Sequence, residues 1–252
     1  MKKFRFDKNI LFSFLAVALL WIFWLVMYYC VNNEFVLPSI GTTFSEMGKL
    51  LAGGSFWRAF GYTLLRTVGA FAFSLLAGAL LAAAALYKRG IRAFLAPIIS
   101  VLRTVPTMAI ILILLLWTTP AFAPVVVSVL VLLPAVYAAV LSALDDIKES
   151  YGEMARAYRV SAGRKIFRMY LPLSVPPVLK QAGGIFSMGL KITVSGEVLA
   201  STYRSIGGLM QEAKSFVQMP ELLALTILTV LLGFLLEGLC ALAYKLIVRW
   251  RA

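Results

Sequence analysis

Long apolar runs alternate with short polar ones along this chain, and most of the apolar runs are of membrane-crossing length. A helix needs roughly 20 apolar residues to cross about 30 Å of hydrocarbon. On that measure six spans are predicted, at about 10–29, 61–87, 93–117, 123–144, 174–199 and 221–244. The third contains Arg103 and Pro106, which predict either two shorter pieces or a kinked helix. Between the first and second spans, Leu37-Pro38-Ser39 leads into an amphipathic piece, Thr42 to Leu51, that ends at Gly53-Gly54. That pattern predicts a helix lying at the membrane surface. One stretch stands apart: Asp145 to Tyr170, followed by Leu171-Pro172, is rich in charge and sits between two apolar segments.

Composition supports an all-α integral membrane protein. The chain has 252 residues, 62% of them hydrophobic and only 14% charged. Mean hydropathy is +0.91, whereas a soluble domain carries about 25% charge. There is no histidine, which removes His-based metal sites and His general bases. Cys30 and Cys240 are single and far apart, so no cysteine cluster exists either. No metal site and no catalytic constellation is expected. No G-x-x-x-x-G-K-[ST] phosphate loop occurs, so the chain is not expected to perform ATP chemistry or to act as an enzyme by itself.

The net charge of +13 is explained by its distribution. With the N-terminus placed in the cytoplasm, sixteen lysines and arginines fall on inside segments and four on outside ones. The inside set includes Lys2, Lys3, Arg5 and Lys8 at one end and Lys245, Arg249 and Arg251 at the other. This positive-inside bias places both termini and the 145–172 insert in the cytoplasm. The cations then face anionic lipid, and no nucleic acid is expected as a partner. The basic start and the long apolar run after it predict a retained anchor helix, because no small-x-small cleavage site follows. Cys30 and Cys240 fall on opposite sides, which argues against a disulfide.

Charges at bilayer depth each call for a reason, since insertion of one costs about 2.5–3.5 kcal/mol. Arg66, near the outer end of its span, is expected to snorkel to the headgroups in preference to contacting substrate. Lys180 is expected to do the same at the inner side. Two readings of Arg103 stand, a structural pairing or contact with an anion. Lys191 and Glu197 are six residues apart, so they do not share a helical face and each is expected to find a partner on another helix. Glu197, near the outer end, is a candidate for shaping an outer gate. Glu237 could pair with any of these cations. Gly69, Ala70, Ala77, Gly78 and Ala82 to Ala85 make the second span slim, as Gly183, Gly184 and Gly189 do the fifth. Such faces serve ordinary bundle packing or a seam between two chains.

The insert resembles the EAA loop of ABC importer permeases, whose pattern is roughly E-A-A, three residues, Gly, then a hydrophobe and Leu-Pro. Glu153, Ala155, Ile166, Leu171 and Pro172 match. Met154 replaces the first alanine, and Arg159 stands where the family usually has glycine. With Arg159 there, the turn that ends the coupling helix either takes a different geometry or moves toward Gly163. Further motifs resemble the branch serving sulfonates, taurine, nitrate and thiamine-pyrimidine precursors. They are Leu37-Pro38-Ser39, Thr63-Leu64-Leu65-Arg66, Leu102 to Pro106 leading to Leu115 and Trp117, and Gly196-Glu197 followed by Gly207-Gly208-Leu209.

The resemblance implies a type I importer permease-like bundle: an anchor and interfacial segment, 1–60, before a transmembrane core, 61–252. A short helix across the membrane face, Glu153, Met154, Ala155, Arg156, Ala157 and Tyr158, would dock on an ATPase, ended by the turn at Arg159 to Gly163. It further implies a second permease chain, with a homodimer expected, two cytosolic ABC ATPase subunits that bind ATP-Mg, and an extracytoplasmic solute-binding protein. The setting would be a bacterial inner membrane, and this chain would bind no cofactor. Arg103, Pro106, Lys191 and Glu197 are the candidates for the translocation path or gate. The competing readings are an ion-gradient-driven secondary transporter, which would show mirrored broken helices in two halves, and a membrane-embedded enzyme, which would need clustered catalytic groups at bilayer depth.

Overall fold

The computed structural model describes residues 8–248, so Lys2, Lys3, Arg5, Arg249 and Arg251, counted above for topology, lie outside the described residues. The described residues form α1 (Lys8–Val31), α2 (Ile40–Ala52), α3 (Gly54–Tyr87), α4 (Arg89–Thr104), α5 (Thr107–Trp117), α6 (Ala123–Ala157), α7 (Ala162–Lys165), a π-helical turn (Ile166–Tyr170), α8 (Leu171–Leu199), α9 (Ile206–Ser215) and α10 (Met219–Ile247). The six expected spans correspond to α1, α3, the α4–α5 pair, α6, α8 and α10. Of these, α3, α6 and α10 are each long and apolar enough to cross a membrane, and α4 with α5 is so only when the two are taken together, bent by 94° as a broken span or a re-entrant loop. Pro106 causes that break: it caps α5 and holds extended backbone, as does Val105 before it. The 29 residues of α8 have the length for a span, but Lys180, Gln181, Lys191 and Glu197 lower its apolarity.

The amphipathic piece before the second span is α2, as expected. Ser39 caps it by accepting from the Thr42 N–H at 3.1 Å. Its buried Thr43 and Met47 face the bundle, where α2 seats against α10 and α3. From Leu15 on, α1 is largely exposed, and it is tied in by Trp21 stacked on Phe44 and by the Trp24 indole N–H on the Pro38 carbonyl.

The centre of the bundle is α3 against α6 and α6 against α8. α3 buries Thr63, Thr67, Ala70, Ser74, Gly78, Ala82 and Ala85, a strip at spacings of three and four that follows one face of a helix. Small residues let the backbones close up. A Cβ on Gly78 would lie 2.9 Å from Val136, and one on Gly189 would lie 2.9 Å from Leu132. These glycines therefore serve packing within the chain. Gly69 and Gly184 have open space where a Cβ would stand. Two apolar clusters fill the ends. One gathers Phe56, Leu190, Ile206, Leu225 and their neighbours near α9, and the other gathers Ala82, Ile99, Val136 and Leu141 toward the far end.

The charged insert differs from the expected short helix flanked by turns. α6 runs unbroken for 35 residues, from Ala123 through Asp145 and Glu153 to Ala157. Nothing between 145 and 157 breaks a helix except Gly152, which a helix tolerates at a cost near 1 kcal/mol. On the other side, α7, the π turn and α8 keep right-handed helical backbone throughout, so a single rod runs from Ala162 to Leu199 past Leu171-Pro172. Pro172, Pro176 and Pro177 lack N–H groups, and the wider π turn lies just before them. The insert is the tip of a helical hairpin.

Candidate functional site

The tip turns at Tyr158–Ser161. Arg159 adopts φ 51°, in the left-handed region. The Val160 N–H donates to the Ala155 carbonyl at 3.1 Å and the Arg159 N–H to the Arg156 carbonyl at 3.0 Å. That is a Schellman cap, with arginine in the place glycine usually takes. The geometry expected of a glycine is kept, and the turn is not displaced to Gly163, which falls inside α7. Ala155 is buried, which anchors the end of α6. Glu153, Met154, Arg156, Ala157, Tyr158 and Arg159 are exposed, and Phe167 on the returning rod is 71% exposed. Aromatic and apolar side chains thus stand out among Arg156, Arg159, Arg164 and Arg168, as a contact surface requires.

At the opposite end lies a buried charge cluster. Glu197, on α8, has no exposed surface. One of its oxygens accepts from Arg66 Nη1 at 2.9 Å, and the other accepts from Thr63 Oγ1 at 2.8 Å and the Gly207 N–H at 3.3 Å. Thr63 Oγ1 also accepts from the Ile206 N–H at 3.0 Å. Ser205 caps the same helix by accepting from the Gly208 N–H at 2.8 Å. The first N–H groups of α9, orphans by helix geometry, are thereby satisfied, and a carboxylate sits where the helix dipole favours it. A Cβ on Gly207 would overlap Glu197 and Val198, and one on Gly208 the Thr202 carbonyl, so only glycine permits α9 to begin there. The cluster clasps α3, α8 and the start of α9. With its donors and acceptors mutually engaged, it has no free base or nucleophile.

This corrects the expectation for Arg66. It does not snorkel: its side chain is 15% exposed and pairs with Glu197. A fully buried carboxylate requires a counter-charge and hydrogen bonds, and Arg66 with Thr63 three residues earlier supplies both. Glu197 does find its partner on another helix. Lys191 does not: it is exposed, and among the described residues the ion pairs are Lys49–Glu46, Arg66–Glu197 and Arg92–Asp145. Glu237 forms none of them, against expectation. It lies on α10 facing Gly183.

Arg103 is exposed near the end of α4, and its Nη2 donates to the Pro134 carbonyl of α6 at 3.2 Å. Pro106, two residues beyond Thr104, marks the bend. Beside Arg103 an open groove of about 440 Å³ runs between α4 and α6, bounded at its far end by the Arg92–Asp145 pair. The structure does not bring Arg103, Lys191 and Glu197 together. Sequence reasoning misses Tyr137, which lines the groove, since a tyrosine in an apolar run carries no local signal of what it faces.

The described residues form a helical bundle with apolar membrane-length helices, a bent helix pair, a charged helical hairpin at one end and a clasped short helix at the other. The family model for the inner membrane component of binding-protein-dependent transport systems matches residues 74–250, and the chain belongs to that family. Membership implies an ATPase and a binding protein as partners. No curated protein matches the chain. Among solved structures, one titled "Crystal structure of an amino acid ABC transporter with histidines" is similar at 15% identity and a TM-score of 0.66, over 76% of this chain and 93% of that one. At that identity the likeness is one of fold: an ABC transporter permease bundle.

Proposed function

We propose that this chain is the permease subunit of an ATP-driven importer, and that its helical hairpin tip is where a cytosolic ATPase docks. The observation that carries this reading is the tip itself. Glu153, Ala155, Ile166, Leu171 and Pro172 follow the EAA pattern, and Arg159 holds the left-handed turn that the pattern's glycine would make. In this reading Glu153, Met154, Arg156, Ala157 and Tyr158 enter the ATPase's groove, the ATPase binds ATP-Mg, and this chain binds no cofactor. Two permease chains, as a homodimer, enclose the path, and an extracytoplasmic protein delivers solute near α9. Both termini are cytoplasmic, in accord with the excess of cations on that side. The open face at Gly184 suits a seam between the two chains.

The solute is a small anion of the sulfonate, taurine or nitrate kind, or a thiamine-pyrimidine precursor. Arg103 and Lys191, cations at bilayer depth without a carboxylate partner among the described residues, support the anion. Pro106 bends the wall beside Arg103, and Glu197 holds the outer end closed through α9. The family match does not favour the ion-gradient-driven alternative.

A mild-detergent pull-down of the tagged chain from native membranes tests the docking. A nucleotide-binding subunit should co-purify and be lost, or its hydrolysis uncoupled, in Glu153→Lys. Retention with wild-type coupling in that variant would remove the tip from the docking role.

A further inference from the structure

The groove between α4 and α6 holds a set of groups that packing alone does not use. Arg92 and Arg103 both lie on the α4 wall, against a single carboxylate, Asp145, on the α6 wall. Asp145 is already paired with Arg92 at 3.0 Å, so the charge of Arg103 is left over. One nitrogen of Arg103 donates to the Pro134 carbonyl at 3.2 Å, which tethers the guanidinium beside α6. Its other N–H groups form no hydrogen bond among the described residues. The second group is Tyr137, of which only 6% is exposed. Its hydroxyl has no hydrogen-bond partner among the described residues, yet no deeply buried side-chain polar atom there lacks one. The hydroxyl is therefore not sealed from solvent, and Tyr137 is one of the residues that line the groove. A tethered guanidinium without a carboxylate partner and an unpartnered hydroxyl on one largely apolar cleft are a recognition set for an anion.

We propose that this groove binds the oxyanion head of a small anion, with Arg103 supplying the charge, Tyr137 donating a hydrogen bond, and the Arg92–Asp145 pair closing one end. The site rests on the permease reading and gives its solute an anionic class. A sulfonate, carboxylate, nitrate or phosphate oxygen satisfies it equally. A lipid phosphate has the same chemistry, but Arg103 lies fourteen residues beyond Arg89, about 21 Å along α4.

The test uses the full chain in lipid nanodiscs, with Cys30→Ser and Cys240→Ser to remove background thiols and S142C to report on the groove, since Ser142 lines it and is exposed. Reaction rates are measured for the sulfonatoethyl and the trimethylammonioethyl methanethiosulfonates. The sulfonate reagent should be favoured, and Arg103→Gln should lower its relative rate by about tenfold, as loss of a nearby charge does at reduced dielectric. Arg103→Lys should restore most of the preference. Tyr137→Phe should weaken protection by added ethanesulfonate or sulfate. In phosphatidylcholine discs, protection by these free anions supports a soluble solute. Protection only when phosphatidylglycerol is added supports a lipid headgroup as the source of the same anion chemistry. An unchanged rate ratio in Arg103→Gln, with no protection in either disc, would overturn the site. Labelling needs neither ATP nor transport. Failure of the permease reading would show instead as an absent ATPase in the pull-down, with the groove's reagent preference intact.

Discussion

Arg66 on α3 and Glu197 on α8 meet at 2.9 Å, 131 positions apart in the chain, and Glu197 has no contact with solvent. The pair is the centre of a clasp, and breaking one side leaves a charge stranded. Arg66→Met should destabilise the chain by about 3–5 kcal/mol, the usual cost of an uncompensated buried charge. Adding Glu197→Gln to that variant should recover much of the loss. Thermal or denaturant unfolding in detergent, run as a double-mutant cycle, measures the coupling. Additive losses would show that the two side chains act independently.

Arg159 at φ 51° and Val217 at φ 56° are among the helix caps that carry left-handed backbone without glycine. A left-handed conformation costs an L-residue about 1–2 kcal/mol. Replacing the β-branched Val217 by glycine removes that cost, so Val217→Gly should stabilise by about 1 kcal/mol. Arg159→Gly should do so by somewhat less, because it also removes an arginine from the tip. Unfolding midpoints read both effects. A loss of stability in Val217→Gly would mean that the valine side chain contributes packing that outweighs its backbone strain.

The glycines separate into those used within the chain and those left open. Gly78→Val should destabilise the fold, because its first carbon would already press on Val136 and the Tyr137 backbone. Gly184→Leu should leave unfolding of the single chain within about 0.5 kcal/mol, as surface substitutions do. If the seam proposed above is correct, that variant impairs pairing or transport. Size-exclusion of the detergent-solubilised pair and uptake assays supply the second readout, and normal values in both would remove Gly184 from the seam.

Ser128 and Thr193 share a buried hydrogen bond at 2.8 Å between α6 and α8. Thr193→Val alone leaves the serine hydroxyl without its partner and should cost about 1–3 kcal/mol. Ser128→Ala with Thr193→Val should be closer to neutral, because both polar groups go together. Unfolding of the single and double variants decides it.

The order of helices, the surface helix α2 and the broken third span were legible because each is written locally. Periodicity marked Thr42 to Leu51, and Pro106 marked the break. What depends on distant packing was not. Nothing near Arg66 in the chain announces Glu197, so lipid headgroups were the nearest partner its position offered. Glu237 looked pairable because the sequence does not reveal that α10 turns it toward Gly183. Arg159 misled in another way. Propensity favours glycine in a left-handed cap, but two cap hydrogen bonds and the burial of Ala155 hold the arginine there. The tip's length was also hidden, since helix-favouring residues from Asp145 to Ala157 allow either a separate piece or a continuation of α6. Tyr137 was silent for the same reason as Arg66: its significance lies in what α4 places opposite it.

The unbroken rod from Ala162 to Leu199 is about 55 Å long at 1.5 Å per residue. It begins beside the turn at Arg159 and ends two residues past Glu197. The hairpin turn and the clasp that holds α9 are therefore the two ends of one continuous helical segment, with no loop between them. Its backbone hydrogen-bond ladder is thinnest at Pro172, Pro176 and Pro177 and the π turn before them, where a helix bends most readily.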